Sequence, residues 1–303
     1  MVQLVVIESL LAWIFFLLAF ILIMINLYLI HKNESQSKSQ MSSLVTVYMI
    51  CWILYIVTLL PHYIYMTSRG DIKVVTNLLE RNDSYTIFWT GIWSQVLNLG
   101  VPISVLFLTI ERLFCIYFPQ RYNFLRKTGL TYMCIVAIVV VLVLNFWIYL
   151  QELPLPLQSS CVTYACLFQK TGAKGYTFTK IILGFFNFVV GFTLILKLRS
   201  YRRAYPTSQD YFRRANIIVC IVTVMEFLMN FVPQLVTFIF FQAFGIVISL
   251  YIGSLNVLLS SIEILISSII YSYTLKGRRR PNDKNSVRIV VSMPDTRNNS
   301  TRM

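Results

Sequence analysis

Two acids stand in a part of the chain where acids are costly. From Ala215 to Leu275 the sequence runs 61 residues with Glu226 and Glu263 as its only charges. An acidic side chain at the centre of a membrane-spanning helix costs about 2.5–3.5 kcal/mol on insertion scales, so it turns toward other helices, water or a ligand. Neither acid is isolated. Glu226, Asn230, Gln234 and Thr237 recur every three or four residues, and so do Asn256, Ser260, Glu263, Ser267 and Tyr271. That spacing puts each set on one helix face. A third set, Gln95, Asn98, Pro102, Thr109 and Arg112, shares one side of another apolar stretch. A single such residue is usually an interhelical hydrogen bond worth about 0.6 kcal/mol. Three stripes together predict a hydrated or ligand-binding interior. Pro233, inside the first set, removes a backbone hydrogen bond and predicts a kink there.

The same inventory argues against an enzyme. Zinc hydrolysis needs a histidine cluster, and the chain has two histidines, His31 and His62. Its six cysteines form no CxxC, and no His/Cys grouping has metal-ligand spacing. No metal and no cofactor is expected.

The elements that position these residues follow from composition. Hydrophobic residues make up 57% of the 303 and charged residues 13%, about half the usual charged share. A chain this apolar has lipid as its solvent. A bilayer crossing takes roughly 20 apolar residues, which predicts spans at 10–30, 44–66, 87–110, 129–150, 176–196, 215–241 and 246–273. The last two share one apolar run, too long for one crossing at about 1.5 Å per residue, and the break is placed near Gln242–Gly245. Lys180, one turn inside the fifth span, is expected to snorkel outward. Residues 9 to 30 carry no Asp, Glu, Lys or Arg and no basic residue precedes them, which reads as a retained first span rather than a cleaved signal.

The net charge of +14 lies in short segments between the apolar runs, so no basic face is offered to nucleic acid. With the N-terminus outside, the inner segments hold 20 of the 26 Lys and Arg and the outer segments 6. The positive-inside rule therefore orients the chain N-out and C-in. The expected fold is an all-α membrane protein, a seven-transmembrane helix bundle of residues 1–273. Residues 274–303 form a basic cytoplasmic tail, expected to be disordered, with Lys276, Arg278, Arg279 and Arg280 at its start.

The third span ends in Glu111–Arg112, followed by Ile116, Pro119 and Tyr122. That order and spacing resembles the acidic–Arg signature of rhodopsin-like G-protein-coupled receptors. Other stretches narrow the resemblance: Glu111–Arg112 through Ile116–Tyr117–Phe118–Pro119, the loop Pro154–Leu155–Pro156 with Cys161 and Cys166, and Arg214–Ala215–Asn216 running to Phe231–Val232–Pro233. The chain resembles the nematode serpentine chemoreceptors, most closely their Srbc branch, over about residues 10–275. It departs from rhodopsin-like receptors in having no Asp in the second span, no Asn-Pro-x-x-Tyr closing the seventh and no Lys in the seventh.

The resemblance implies a chemosensory receptor in the plasma membrane of a sensory neuron, with a small extracellular ligand and a heterotrimeric G protein as partners. The alternative is a secondary transporter or channel that uses Glu226 and Glu263 as an ion or proton path. Transporters carry internal repeats and broken half-helices, and no repeat is visible. On the receptor reading the ligand pocket is expected from His62, Trp93, Asn98, Asn230, Gln234 and Asn256 in the outer half of the bundle. The switch that couples to the G protein is expected from Glu111, Arg112, Ile116, Pro119 and Tyr122, with Arg112 paired to Glu111 at rest. Cys161 and Cys166 are the cysteines expected on the oxidising side, and they either pair or stay free. Asn82 opens a glycosylation sequon in the first outer loop, while the sequons at Asn298 and Asn299 fall in the tail.

Overall fold

The computed structural model describes residues 2–36, 43–68, 84–118, 124–151, 153, 172–204, 210–245 and 255–276. Among the described residues every regular element is helical. Seven helices or helix pairs are long and apolar enough to cross a membrane: Leu10–Lys32, Ser43–Ile64, Ser84–Tyr117, Thr128–Leu150, Gly175–Ser200, Asn216–Phe244 and Leu255–Leu275. They are called the first to seventh spans below. The protein is an all-α seven-helix membrane bundle.

The third span is the axis of the bundle. It packs against the second, fourth, fifth and sixth spans, while the first span lies along the seventh. Its central turns are buried on nearly every side, from Asn98 through Val105. The outer faces of the other spans are apolar and open: Leu17, Ile21, Val136, Val143, Phe185 and Phe192 are all exposed. That is the surface a lipid-solvated bundle presents.

Two spans are not continuous α-helices, and proline accounts for each. The third divides into Ser84–Asn98 and Gly100–Tyr117, with the Leu99 N–H donating to the Val96 carbonyl at 3.1 Å. Pro102 has no N–H to give the Asn98 carbonyl, and its ring crowds the preceding turn, so the helix tightens and restarts there. The sixth span runs α-helically from Asp210 to Glu226, passes through a π-helical turn at Phe227–Phe231 and resumes from Val232 to Phe244. Pro233 stands just beyond the π turn. The wider turn absorbs the clash a proline makes with the carbonyl four residues back. The helix then stops where Gly245 takes a left-handed conformation, φ 65°, and donates to the Phe241 carbonyl. This is the usual glycine termination of a helix.

Close approach of the fifth and sixth spans depends on glycine. A methyl added at Gly184 would lie 2.2 Å from Phe231 Cδ2, and one at Gly191 would lie 2.4 Å from Thr223 Cγ2. The first and seventh spans are tied by polar bonds. Asn26 Nδ2 donates to the Ser268 carbonyl at 2.9 Å, and the Ser272 hydroxyl donates to Asn26 Oδ1 at 2.8 Å.

Candidate functional site

The polar residues of the spans meet in three tiers inside the bundle. The first tier lies toward the end that carries the start of the fifth span. Asn98 Nδ2 on the third span donates to the Tyr176 hydroxyl on the fifth at 3.5 Å. Gln234 on the sixth donates through Nε2 to the Thr177 hydroxyl at 3.1 Å, and accepts from Asn256 Nδ2 on the seventh at 3.4 Å. One hydrogen-bonded chain thus links the fifth, sixth and seventh spans beside the Asn98–Tyr176 contact. Several of these bonds are near the long limit for a hydrogen bond, so they exchange partners at low cost.

The second tier holds the acids. Glu226 and Glu263 are buried, from the sixth and seventh spans respectively, with their carboxyls within hydrogen-bonding reach of each other. Asn230 joins them. Its Nδ2 donates to Glu226 Oε2 at 3.2 Å and to Glu263 Oε2, and its Oδ1 accepts from the Ser260 hydroxyl at 3.1 Å. Asn230 belongs to the π turn. The wider turn therefore carries the residue that bridges two carboxyls on different helices.

Lys180 reaches this tier from the fifth span. It was expected to snorkel out to the interface. Instead it is buried and lines a small cavity with Pro102, Gly184, Glu226, Asn230 and Phe231. Its Nζ lies 5.3 Å from the centroid of the Tyr176 ring. The inward turn has a physical reason. Glu226 and Glu263 exert an attraction on the ammonium from across the cavity, and the Tyr176 face gives it a second favourable contact.

The third tier lies toward the other end. Thr109 and Thr223 hydroxyls bond at 3.0 Å between the third and sixth spans. One turn on, Arg112 approaches Glu111 at 4.0 Å, with side-chain exposures of 13% and 3%. Tyr271 of the seventh span stands within electrostatic reach of both, and its ring lies 6.2 Å from that of Tyr48 on the second span. Among the described residues, several buried polar atoms between these tiers make no hydrogen bond by strict geometry, among them Tyr48 Oη, Trp52 Nε1, Ser267 Oγ and Tyr271 Oη.

The residues expected to line a pocket are only partly brought together. Asn98, Gln234 and Asn256 share the first tier, although Asn256 is exposed at its end of the bundle. Asn230 lies one tier deeper. His62 is half-buried and bonds through Nδ1 with the Thr90 hydroxyl at 3.2 Å, joining the second span to the third. Trp93 does not face the interior. It is 48% exposed and stacks on Phe146 of the fourth span at 5.1 Å. Five residues along a helix turn a side chain about 140°, so Trp93 and Asn98 sit on nearly opposite faces.

Ile116 is half-buried on the last turn of the third span. Pro119 and Tyr122 lie outside the described residues, as do Cys161, Cys166, Asn82, Asn298 and Asn299. The side chains that sequence reasoning missed are Tyr176 and Thr177, which look like ordinary interface residues, and the inward Lys180. A lysine one turn inside an apolar run was the available signal.

The model of the family described as serpentine type 7TM GPCR chemoreceptor Srbc matches residues 1–279. No curated protein matches the chain.

Proposed function

The chain belongs to the Srbc family of serpentine seven-transmembrane chemoreceptors, and from that premise we propose that it binds a small extracellular ligand within the bundle and signals to a cytoplasmic heterotrimeric G protein. Its family is one of receptors rather than enzymes, and the protein is a multi-pass membrane protein. The orientation proposed is N-out and C-in, supported by 20 Lys and Arg on one side against 5 on the other, Lys180 lying inside the bundle. The ligand end is then the first tier of Asn98, Tyr176, Thr177, Gln234 and Asn256, and the G-protein end is the third, around Glu111 and Arg112.

One observation carries this reading. Between the first tier and the third stands the π turn of the sixth span, which holds Asn230 between Glu226 and Glu263. A ligand can only shift an equilibrium by its differential affinity for two states. On this reading the π turn next to Pro233 is the two-state element, since π turns and prolines are where helices bend. Ligand contact with Gln234 or Asn230 acts directly on it. Tilting of the sixth span below Pro233 would then open a crevice beside Arg112 into which a G-protein helix docks. An Arg112–Glu111 pair held no closer than 4.0 Å suits a contact that yields on activation.

The test is expression in reporter cells with a panel of small volatile and water-soluble compounds. Arg112→Ala is expected to reach the surface at the normal level and lose signalling. Glu111→Gln is expected to raise basal activity. Full agonist signalling from well-expressed Arg112→Ala rules the switch out. Surface expression and signalling falling together assign Arg112 to anchoring the helix.

A further inference from the structure

A buried positive charge without a contacting acid stands inside the bundle, at Lys180. Among the described residues Lys180 is the only buried basic side chain, 9% exposed, and it makes no ion pair within 4.0 Å. An ammonium kept in a lipid-solvated interior without a contacting anion costs several kcal/mol after relaxation, and an intramembrane ionisable group marks a functional site by default. Its surroundings are built on two sides. Toward the third tier lies a cavity of about 10 Å³, the size of one water molecule. Glu226 faces it from the far wall, already engaged by Asn230 and by Glu263. Toward the first tier stand the Tyr176 ring 5.3 Å away, the Asn98 amide and the Gln234 amide. Asn98 donates to the Tyr176 hydroxyl at 3.5 Å, and Gln234 donates to the Thr177 hydroxyl at 3.1 Å while accepting from Asn256 at 3.4 Å.

We infer that the ligand of this site is a small organic monoanion, a carboxylate foremost, whose charged group pairs with Lys180 beneath Tyr176 and takes hydrogen bonds from Asn98 and Gln234. The inference rests on the receptor reading above and names the chemistry of its ligand. Three features select an anion. On the path from Tyr176 to the two acids the ammonium comes first, because its Nζ lies 5.3 Å from the Tyr176 ring while Glu226 lies behind it across the cavity. An amine would have to pass a like charge to reach either acid. The polar groups bonded to Tyr176 and to the adjoining Thr177 are amide N–H donors, of Asn98 and Gln234, which suit carboxylate oxygens. A neutral ligand would leave the ammonium without a direct anion and so gains least from the site.

Such a ligand also reaches the bistable element. Lys180 attracts Glu226 across the cavity, and the π turn begins at the next residue, Phe227. A carboxylate that draws the ammonium toward Tyr176 weakens that attraction. It leaves Glu226 and Glu263 to rearrange about Asn230, at the point where the sixth span changes helix type. Binding energy is thereby converted into a change in the span that carries the opening motion.

The full-length receptor in reporter cells provides the test. The probes are straight-chain monocarboxylates from acetate to octanoate, each set against the methyl ester, alcohol and amine of equal chain length. At least one carboxylate is expected to activate while its ester and amine do not. Lys180→Gln, with surface level read by an epitope tag, is expected to raise the half-maximal carboxylate concentration by about 100-fold, the loss of a charge-assisted bond. Lys180→Arg keeps the charge and is expected to restore most of the response. If Lys180→Gln fails to reach the surface, the arginine variant and the ester comparison still decide the matter. Activation by alcohols, esters or amines alone overturns the anion while leaving the receptor reading intact. So does unchanged carboxylate potency in well-expressed Lys180→Gln. Silence across all four classes counts against both.

Discussion

Replacing Gly184 with alanine tests whether the fifth and sixth spans meet at the π turn as closely as described. The added methyl would lie 2.2 Å from Cδ2, 2.8 Å from Cγ and 2.9 Å from Cβ of Phe231. Nonbonded carbons rest about 3.5–4.0 Å apart, so Phe231 must retreat by more than 1 Å. Rotating the ring does not suffice, because Cβ is among the clashing atoms and moves only with the backbone. The ring is also held: it stacks on Phe227 at 5.3 Å, which stacks on Phe188 at 4.8 Å. Overpacking of this kind costs about 1–3 kcal/mol. Helix propensity acts the other way, since alanine gains about 0.5–1 kcal/mol over glycine in a helix interior. With three clashing atoms the steric term wins, leaving a net loss of about 1–2 kcal/mol. Chains of 150–250 residues lose about 2–4 °C in Tm per kcal/mol, so purified Gly184→Ala is expected to melt roughly 3–6 °C below the wild type. Gly129→Ala is the matched control. Nothing lies within 4 Å of a methyl at Gly129, so propensity acts alone and Tm is expected to hold or rise. A Gly184→Ala receptor that melts with or above the wild type would show that the two helices are not in contact there, and the reasoning fails.

Two further outcomes follow from particular bonds and segments. Asn26→Ala removes both polar ties between the first and seventh spans, each worth about 0.6 kcal/mol in a membrane interior. It is expected to lose about 1 kcal/mol, read as a lower Tm, and Asn26→Asp is expected to lose more because a charge then replaces the amide donor to the Ser268 carbonyl. For topology, glycosidase treatment of the receptor expressed in eukaryotic cells is expected to release glycan from the Asn82 sequon at most and none from Asn298 or Asn299. Glycan on either tail site reverses the orientation.

The class of fold was legible because the bilayer imposes a length. A crossing helix must be roughly 20 apolar residues long, and every backbone group in lipid must be paired within the helix, so runs without Asp, Glu, Lys or Arg translate directly into spans. The Glu111–Arg112 signature was legible for a similar reason: its residues are local, and their spacing is set by one helix. The polar stripes of the sixth and seventh spans could also be read as faces. Which residue of one stripe would meet which residue of the other could not. The contact of Glu226 with Glu263 through Asn230 depends on the relative height and rotation of two helices, and no periodicity within either helix encodes that.

Lys180 and Trp93 make the distinction concrete. A lysine one turn inside a span has two favourable outcomes, reaching out to the headgroups or turning inward to a counter-charge. The choice depends on what faces it from another helix. Here Glu226, 46 positions further along the chain, and the ring of Tyr176 decide for the interior. The pocket reading expects Trp93 to face inward with Asn98, although helix geometry alone separates the two by about 140°, and the structure puts Trp93 against Phe146. What the sequence determined by itself is the solvent and the number of crossings, because these depend on transfer free energies that add along a single segment. Tertiary structure alone decided where the Lys180 ammonium points and which carboxyls meet, because those contacts join segments distant in sequence, and their energy exists only once the helices are docked.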